Sequence, residues 1–152
     1  MRAVSRRLGV SHAAPANHFP SKEALFCEIA RQGLVGLRQA LDQAASHEPD
    51  PILRLRALGL AYLDYASQHP GHFSVMFRRD LYDITLIEDE ATATFEVLVD
   101  ACQAAQHSGW RADADPRGLA TLLWSVVHGF AHLEAEGARL EIDRRQLIAL
   151  VD

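Results

Sequence analysis

A chain of 152 residues, 49% apolar and 23% charged, can build one ordinary core or a small head on a larger body, and it is too apolar to stay disordered. No window approaches the roughly 20 consecutive apolar residues that a membrane span needs. Residues 1–7 lead into an amphipathic segment, not into the apolar stretch of a secretion signal, so a cytoplasmic protein with no membrane partner is expected. The net charge of −5 is uneven: residues 1–38 hold six basic side chains against Glu23 and Glu28, a balance of +4, which leaves −9 for the rest. A basic end on an acidic body fits contact with a polyanion through that end, although chance clustering gives the same count.

Strand signals are nearly absent, and helical spacing recurs throughout. Residues 2–8 form a short helix candidate that Gly9 stops, and Ser11 can cap a second one, to about His18. After Pro20, Ser21 can cap a long helix to about Ser46, with Phe26, Ile29 or Ala30, Leu34, Leu37, Leu41 and Ala44 on one face. Asp50-Pro51 is a strong helix start, a capping side chain before a first-turn proline. That helix runs to about His69 and carries Leu55, Leu58, Tyr62 and Tyr65 on one side. Pro70-Gly71 breaks it. A short apolar segment (72–77) and a loop (78–83) follow.

The next helix shows the clearest period, with Ile84, Ile87, Ala91, Phe95, Leu98, Cys102 and Ala105 in step, and Ser108-Gly109 ends it. Asp115-Pro116 opens another, to about Glu136. On it Leu119, Leu122, Leu123, Val126, Val127, Phe130 and Leu133 occupy more than one face, and a second subunit is a natural cover for the surplus. Gly137 ends it, and Asp143 can cap a last helix to Val151. The cysteines, Cys27 and Cys102, fall inside helical apolar patterns, as expected of buried thiols in a reducing compartment. The chain reads as all-α, with a head and connecting helix over residues 1–46 and a helical body over 47–152.

The two short helices around Gly9-Val10-Ser11 have the layout of a helix-turn-helix: a supporting helix, a glycine turn and a capped second helix. The layout alone is generic. The string from Ala3 to Leu25 is specific. Its Gly9-Val10-Ser11, His18-Phe19, Lys22 and Leu25, in register, resemble the DNA-binding signature of the tetracycline-repressor (TetR) family. The resemblance implies a DNA-binding surface made of Ser11, His12, Ala13, Asn17 and His18 on the recognition helix. It also implies Lys22 as a phosphate contact at a helix N-terminus, where free amides favour an anion. Arg2 and Arg6 are further phosphate contacts, which position without specifying sequence. Each residue also has a plainer reading: Lys22 as a solvated side chain, His18 as local packing. The chain departs from the family in two places. Ala16 stands where a tyrosine is usual, and the sequence starts inside the motif, after the point where the family carries a further helix.

In the body, Leu123-Trp124-Ser125-Val126-Val127-His128-Gly129-Phe130-Ala131 resembles the tryptophan-histidine-glycine signature of one C-terminal class in that family. His69-Pro70-Gly71-His72-Phe73-Ser74-Val75-Met76-Phe77 resembles the short helix before its pocket. What the class implies is a helical ligand-binding and dimerisation bundle. A largely apolar small-molecule effector would sit between its helices. A homodimer would form through residues 115–137 and 143–151, and a twofold dimer implies a near-palindromic double-stranded operator. The candidate ligand-binding residues are Tyr62, Tyr65, Phe73, Met76, Phe77, Phe95, Leu98, Cys102, Trp124 and His128. Any of them serves equally as plain core, and His128 equally as a satisfied core histidine.

Other readings are weaker. His128 and His132, four apart, and His69 and His72, three apart, have metal-compatible spacing, but no paired Glu-x-x-His motif accompanies them. No metal or cofactor is expected. Neither a phosphate loop nor a nucleophile elbow is present, Glu88, Asp89 and Glu90 read as a solvated face, and no catalytic residue is assigned. The main rival to a ligand-responsive repressor is a helical small-molecule-binding dimer without competent DNA binding.

Overall fold

The structure, a computed structural model, describes residues 19–151. The expected short helices and Arg2, Arg6, Ser11, His12, Ala13, Asn17 and His18 lie outside the described residues.

Local side-chain chemistry sets most of the helix starts. The Ser21 hydroxyl accepts the Ala24 N–H at 3.1 Å and opens α1, Lys22–Ser46. Asp50 accepts the N–H groups of Ile52 and Leu53, both at 2.9 Å, and with Pro51 in the first turn opens α2, Pro51–Gln68. Pro70 begins α3, Pro70–Met76. A 3₁₀ turn, Ile84–Ile87, precedes α4, Glu88–His107, which has no side-chain cap but has Glu88, Asp89 and Glu90 in its first turn, where the helix dipole favours them. Asp115 accepts from the Gly118 N–H at 2.6 Å at the start of α5, Pro116–Ala135. Asp143 and Gln146 cap one another's backbone N–H at 2.8 Å each and open α6, Arg144–Ile148, followed by a 3₁₀ turn, Ala149–Val151. Gly109 and Gly137 take φ values of 98° and 74° just past α4 and α5, as helix-ending turns require. Every regular element among the described residues is helical, and the fold is all-α.

The helix opened by Asp50-Pro51 ends at Gln68, as the Pro70-Gly71 break implies, and Pro70 itself begins the next short helix, because its missing N–H costs nothing in a first turn. Two boundaries differ from the sequence reading. The α-helix expected from Ile84 begins at Glu88. The Asp83 carboxylate takes both the N–H (3.0 Å) and the hydroxyl (2.8 Å) of Thr85 and tightens that stretch into a 3₁₀ turn. The last α-helix is five residues long and ends as 3₁₀.

Helix α2 is central, against α1, α4, α5 and α6, while α3 lies across α1. The core joins Leu34, Leu37 and Leu41 of α1 to Leu58 and Leu63 of α2, Val99 and Cys102 of α4, Ala120 and Phe130 of α5, and Ile148 of α6. Gly59 lets α6 close on α2, because a Cβ there would collide with the Ile148 Cδ1 atom. An ion cluster holds the same corner: Arg144 donates to Glu134 at 2.9 Å and to Asp64 at 3.0 Å. The surplus apolar face of α5 stays open, with Leu122 58%, Val126 44% and Leu133 45% exposed.

Candidate functional site

The apolar faces of α1, α2, α4 and α5 converge without filling the space between them. They leave a cavity of about 410 Å³, closed at one side by Leu147 and Ile148 of α6. Its wall is mostly Leu, Ile, Val, Phe and Met, and no carboxylate or thiol contributes to it. The size and the sparse polar groups are those of a small-molecule pocket.

Of the ten body residues singled out from the sequence, Tyr62, Met76, Phe77, Phe95, Leu98, Trp124 and His128 line this cavity. Tyr65, Phe73 and Cys102 are outside its lining. The Tyr65 hydroxyl donates to the Gly33 carbonyl at 2.9 Å, and its ring lies 4.5 Å from that of His69. Phe73 meets Tyr62 edge-on at 5.9 Å and His128 at 5.5 Å. Cys102 is fully enclosed in the core, and burial pushes its thiol up to about 11. Lys22 is exposed in the first turn of α1, its ammonium 5.4 Å from the centre of the Phe26 ring.

Sequence reasoning missed Arg79 and Thr94, and did not separate Leu34, Leu37, Leu41, Leu55 and Leu58 from ordinary core, although all line the cavity. Periodicity reports that a side chain faces inward; it does not report whether a void lies in front of it. Gly59 was a usable signal, since a glycine inside an amphipathic helix often marks a close approach.

One corner of the cavity is polar. The indole N–H of Trp124, which can only donate, points to the Tyr62 hydroxyl oxygen at 3.3 Å. The Tyr62 O–H is then directed to His128 Nδ1, 2.7 Å away. With Tyr62 assigned as the donor in this chain, His128 Nδ1 accepts and the neutral ring carries its proton on Nε2. Burial, and then the nearby His132, hold the His128 pKa below its usual range, in keeping with a neutral ring. Burial pushes the Tyr62 hydroxyl well above the usual tyrosine range, so it remains a donor. The His128 ring is packed edge-on against Phe77 at 4.5 Å and His132 at 4.7 Å. Thr94 directs its hydroxyl to the Glu90 carbonyl at 2.7 Å.

The histidine pairs His128–His132 and His69–His72 acquire no further ligands: among the described residues no three His, Cys, Asp or Glu side chains gather where they could hold a metal. No described helix is long and apolar enough to cross a membrane.

These features define a class: a bundle of helices around a mostly apolar cavity, open on one side, with one hydrogen-bonded polar corner. Residues 55–151 match the family model of the tetracyclin repressor-like C-terminal domain, and the chain belongs to the TetR family. The HTH-type transcriptional regulator RutR of Escherichia coli (strain K12) is 24% identical over 136 residues, covering 86% of this chain and 63% of that protein. The chain therefore spans less than two thirds of the length of such relatives. Among solved structures, a protein of unknown function from Rhodococcus sp. RHA1 superposes with a TM-score of 0.81 at 27% identity, over 98% of this chain and 78% of that one. The TetR family transcriptional regulator PfmR from Thermus thermophilus shares the fold with a TM-score of 0.79 at 21% identity, over 97% and 82% of the two chains.

Proposed function

We propose that the protein is a ligand-responsive transcription regulator, a repressor that binds a near-palindromic DNA operator as a homodimer. In this reading a largely apolar small molecule enters the cavity between α1, α2, α4 and α5. The observation that carries the reading is that cavity, with its Trp124–Tyr62–His128 corner, inside a TetR-family body. Residues 1–46 act as reading head and connecting helix, and 47–152 as sensor. Lys22, at the N-terminus of α1, supplies a phosphate contact that positions the head without specifying sequence.

The dimer forms through residues 115–137 and 143–151. Leu122, Val126 and Leu133 on α5 and Leu150 beyond α6 are exposed apolar side chains in those segments. Because α1 carries both cavity wall (Leu34, Leu37, Leu41) and the connection to the head, a ligand that prefers one spacing of α1 and α4 alters the separation of the two heads.

The test is selection from a random duplex library with the full chain. Enrichment of a near-palindrome with half-sites about one helical turn apart is the expected result. Failure to enrich any sequence would sink the regulator reading and favour a ligand-binding dimer without DNA binding.

A further inference from the structure

The chemistry of the ligand can be narrowed, on the reading that the cavity is a ligand site. The chain has 20 Asp and Glu residues, yet none lines the chamber, while one guanidinium, that of Arg79, does. Its neighbour Arg78 is committed to Asp80 through two 2.7 Å bonds, and Arg79 takes part in no ion pair or hydrogen bond among the described residues. The other polar groups of the wall are already occupied. The Trp124 N–H is used on Tyr62, the Tyr62 O–H on His128 and the Thr94 O–H on Glu90. What the wall still offers without a protein partner is the Arg79 guanidinium. That group addresses acceptors or negative charge, and no carboxylate lines the wall to pair with a cationic head.

We infer that the ligand is an amphiphile with an apolar body and a single carboxylate, the body filling the chamber and the carboxylate held by Arg79. The planar guanidinium matches a carboxylate's two oxygens, and its exposed position keeps it hydrated until a ligand arrives. At roughly 30 Å³ per water-sized atom, a chamber of about 410 Å³ takes about a dozen heavy atoms. That is a medium-length chain or a small ring system.

Decanoate, 1-decanol and decylammonium share one chain length and differ in head charge. Their binding to the full chain is followed by isothermal titration calorimetry and by tryptophan emission, since Trp124 is in the wall. Decanoate is expected to bind about tenfold more tightly than decanol, with decylammonium weakest, one molecule per chain. Arg79→Gln is expected to bring decanoate to the level of decanol and leave decanol unchanged. As Arg79 is exposed, this variant is expected to fold. Equal affinities for decanoate and decanol, or an unchanged decanoate affinity in Arg79→Gln, overturn the carboxylate assignment and leave the cavity reading standing. Absence of binding by all three overturns both.

Discussion

Tyr62→Phe isolates the polar corner, because it removes one oxygen and keeps the buried ring. Tyr62 is only 5% exposed, and its hydroxyl is the sole link between Trp124 Nε1 and His128 Nδ1. Deleting it strands a donor and an acceptor in a half-buried site, at a cost of about 1–3 kcal/mol. For a chain of this length each kcal/mol is worth roughly 2–4 °C in Tm, so a fall of about 2–12 °C is expected by calorimetry at pH 7.5. The variant carries a second signature. The Tyr62 O–H donates to the neutral form of His128, so its loss moves the imidazole pKa upward, toward the usual histidine range, in an NMR titration. A Tm within about 1 °C of the parent, with an unmoved His128 titration, would refute the assigned hydrogen-bond chain.

The depressed pKa of His128 also makes a pH prediction. In the unfolded chain the ring takes up its proton near the ordinary pKa of about 6.5, and in the folded protein only at lower pH. Its contribution is fully present above about pH 6.5 and is lost as pH falls through the folded value. In urea unfolding, the drop in midpoint between pH 7.5 and 5.5 should therefore shrink in His128→Asn; an equal drop in both proteins counts against this. Burial raises both thiols, but Cys102 is fully enclosed whereas Cys27 is half-buried, so iodoacetamide should label native protein at Cys27 alone and both thiols in urea. Labelling of Cys102 in the native protein would contradict the packing of α4. Leu122→Glu changes a side chain that is 58% exposed and should alter subunit stability by no more than about 0.5 kcal/mol, yet reduce the mass in light scattering from dimer to monomer. An unchanged mass would move the dimer interface away from α5.

The sequence disclosed what is local. The starts at Asp50-Pro51, Asp115-Pro116, Ser21 and Asp143 were legible because cap and helix are adjacent in the chain, and the structure contains each of those bonds. It misled where two local signals competed: the apolar period running through Ile84 and Ile87 concealed the bonds of Asp83 to Thr85. Pro70 is a breaker for the helix before it, as its sequence implies, and also a first-turn residue for the one after. The resemblance drew attention to Trp124 and His128. Their bonds to Tyr62 span 62 and 66 positions and have no sequence signature. Depth was equally hidden: Phe95, Leu98 and Cys102 share one face of α4, but the first two meet the void and Cys102 meets solid core. Arg79 sits in a stretch read only as loop.

The central claim is that occupancy of the cavity sets the affinity for DNA. Ala91 lines the chamber and Thr92, next to it, is exposed, so Ala91→Phe occupies the void with a fixed ring and Thr92→Phe is a matched control outside it. The measurement is the affinity of a selected duplex for these two variants and the parent, by fluorescence anisotropy at one salt concentration. Binding weakened at least about fivefold by Ala91→Phe, the low end of ordinary allosteric coupling, and left unchanged by Thr92→Phe, is the predicted result. Equal affinities for all three proteins, with Ala91→Phe folded by circular dichroism, would contradict it.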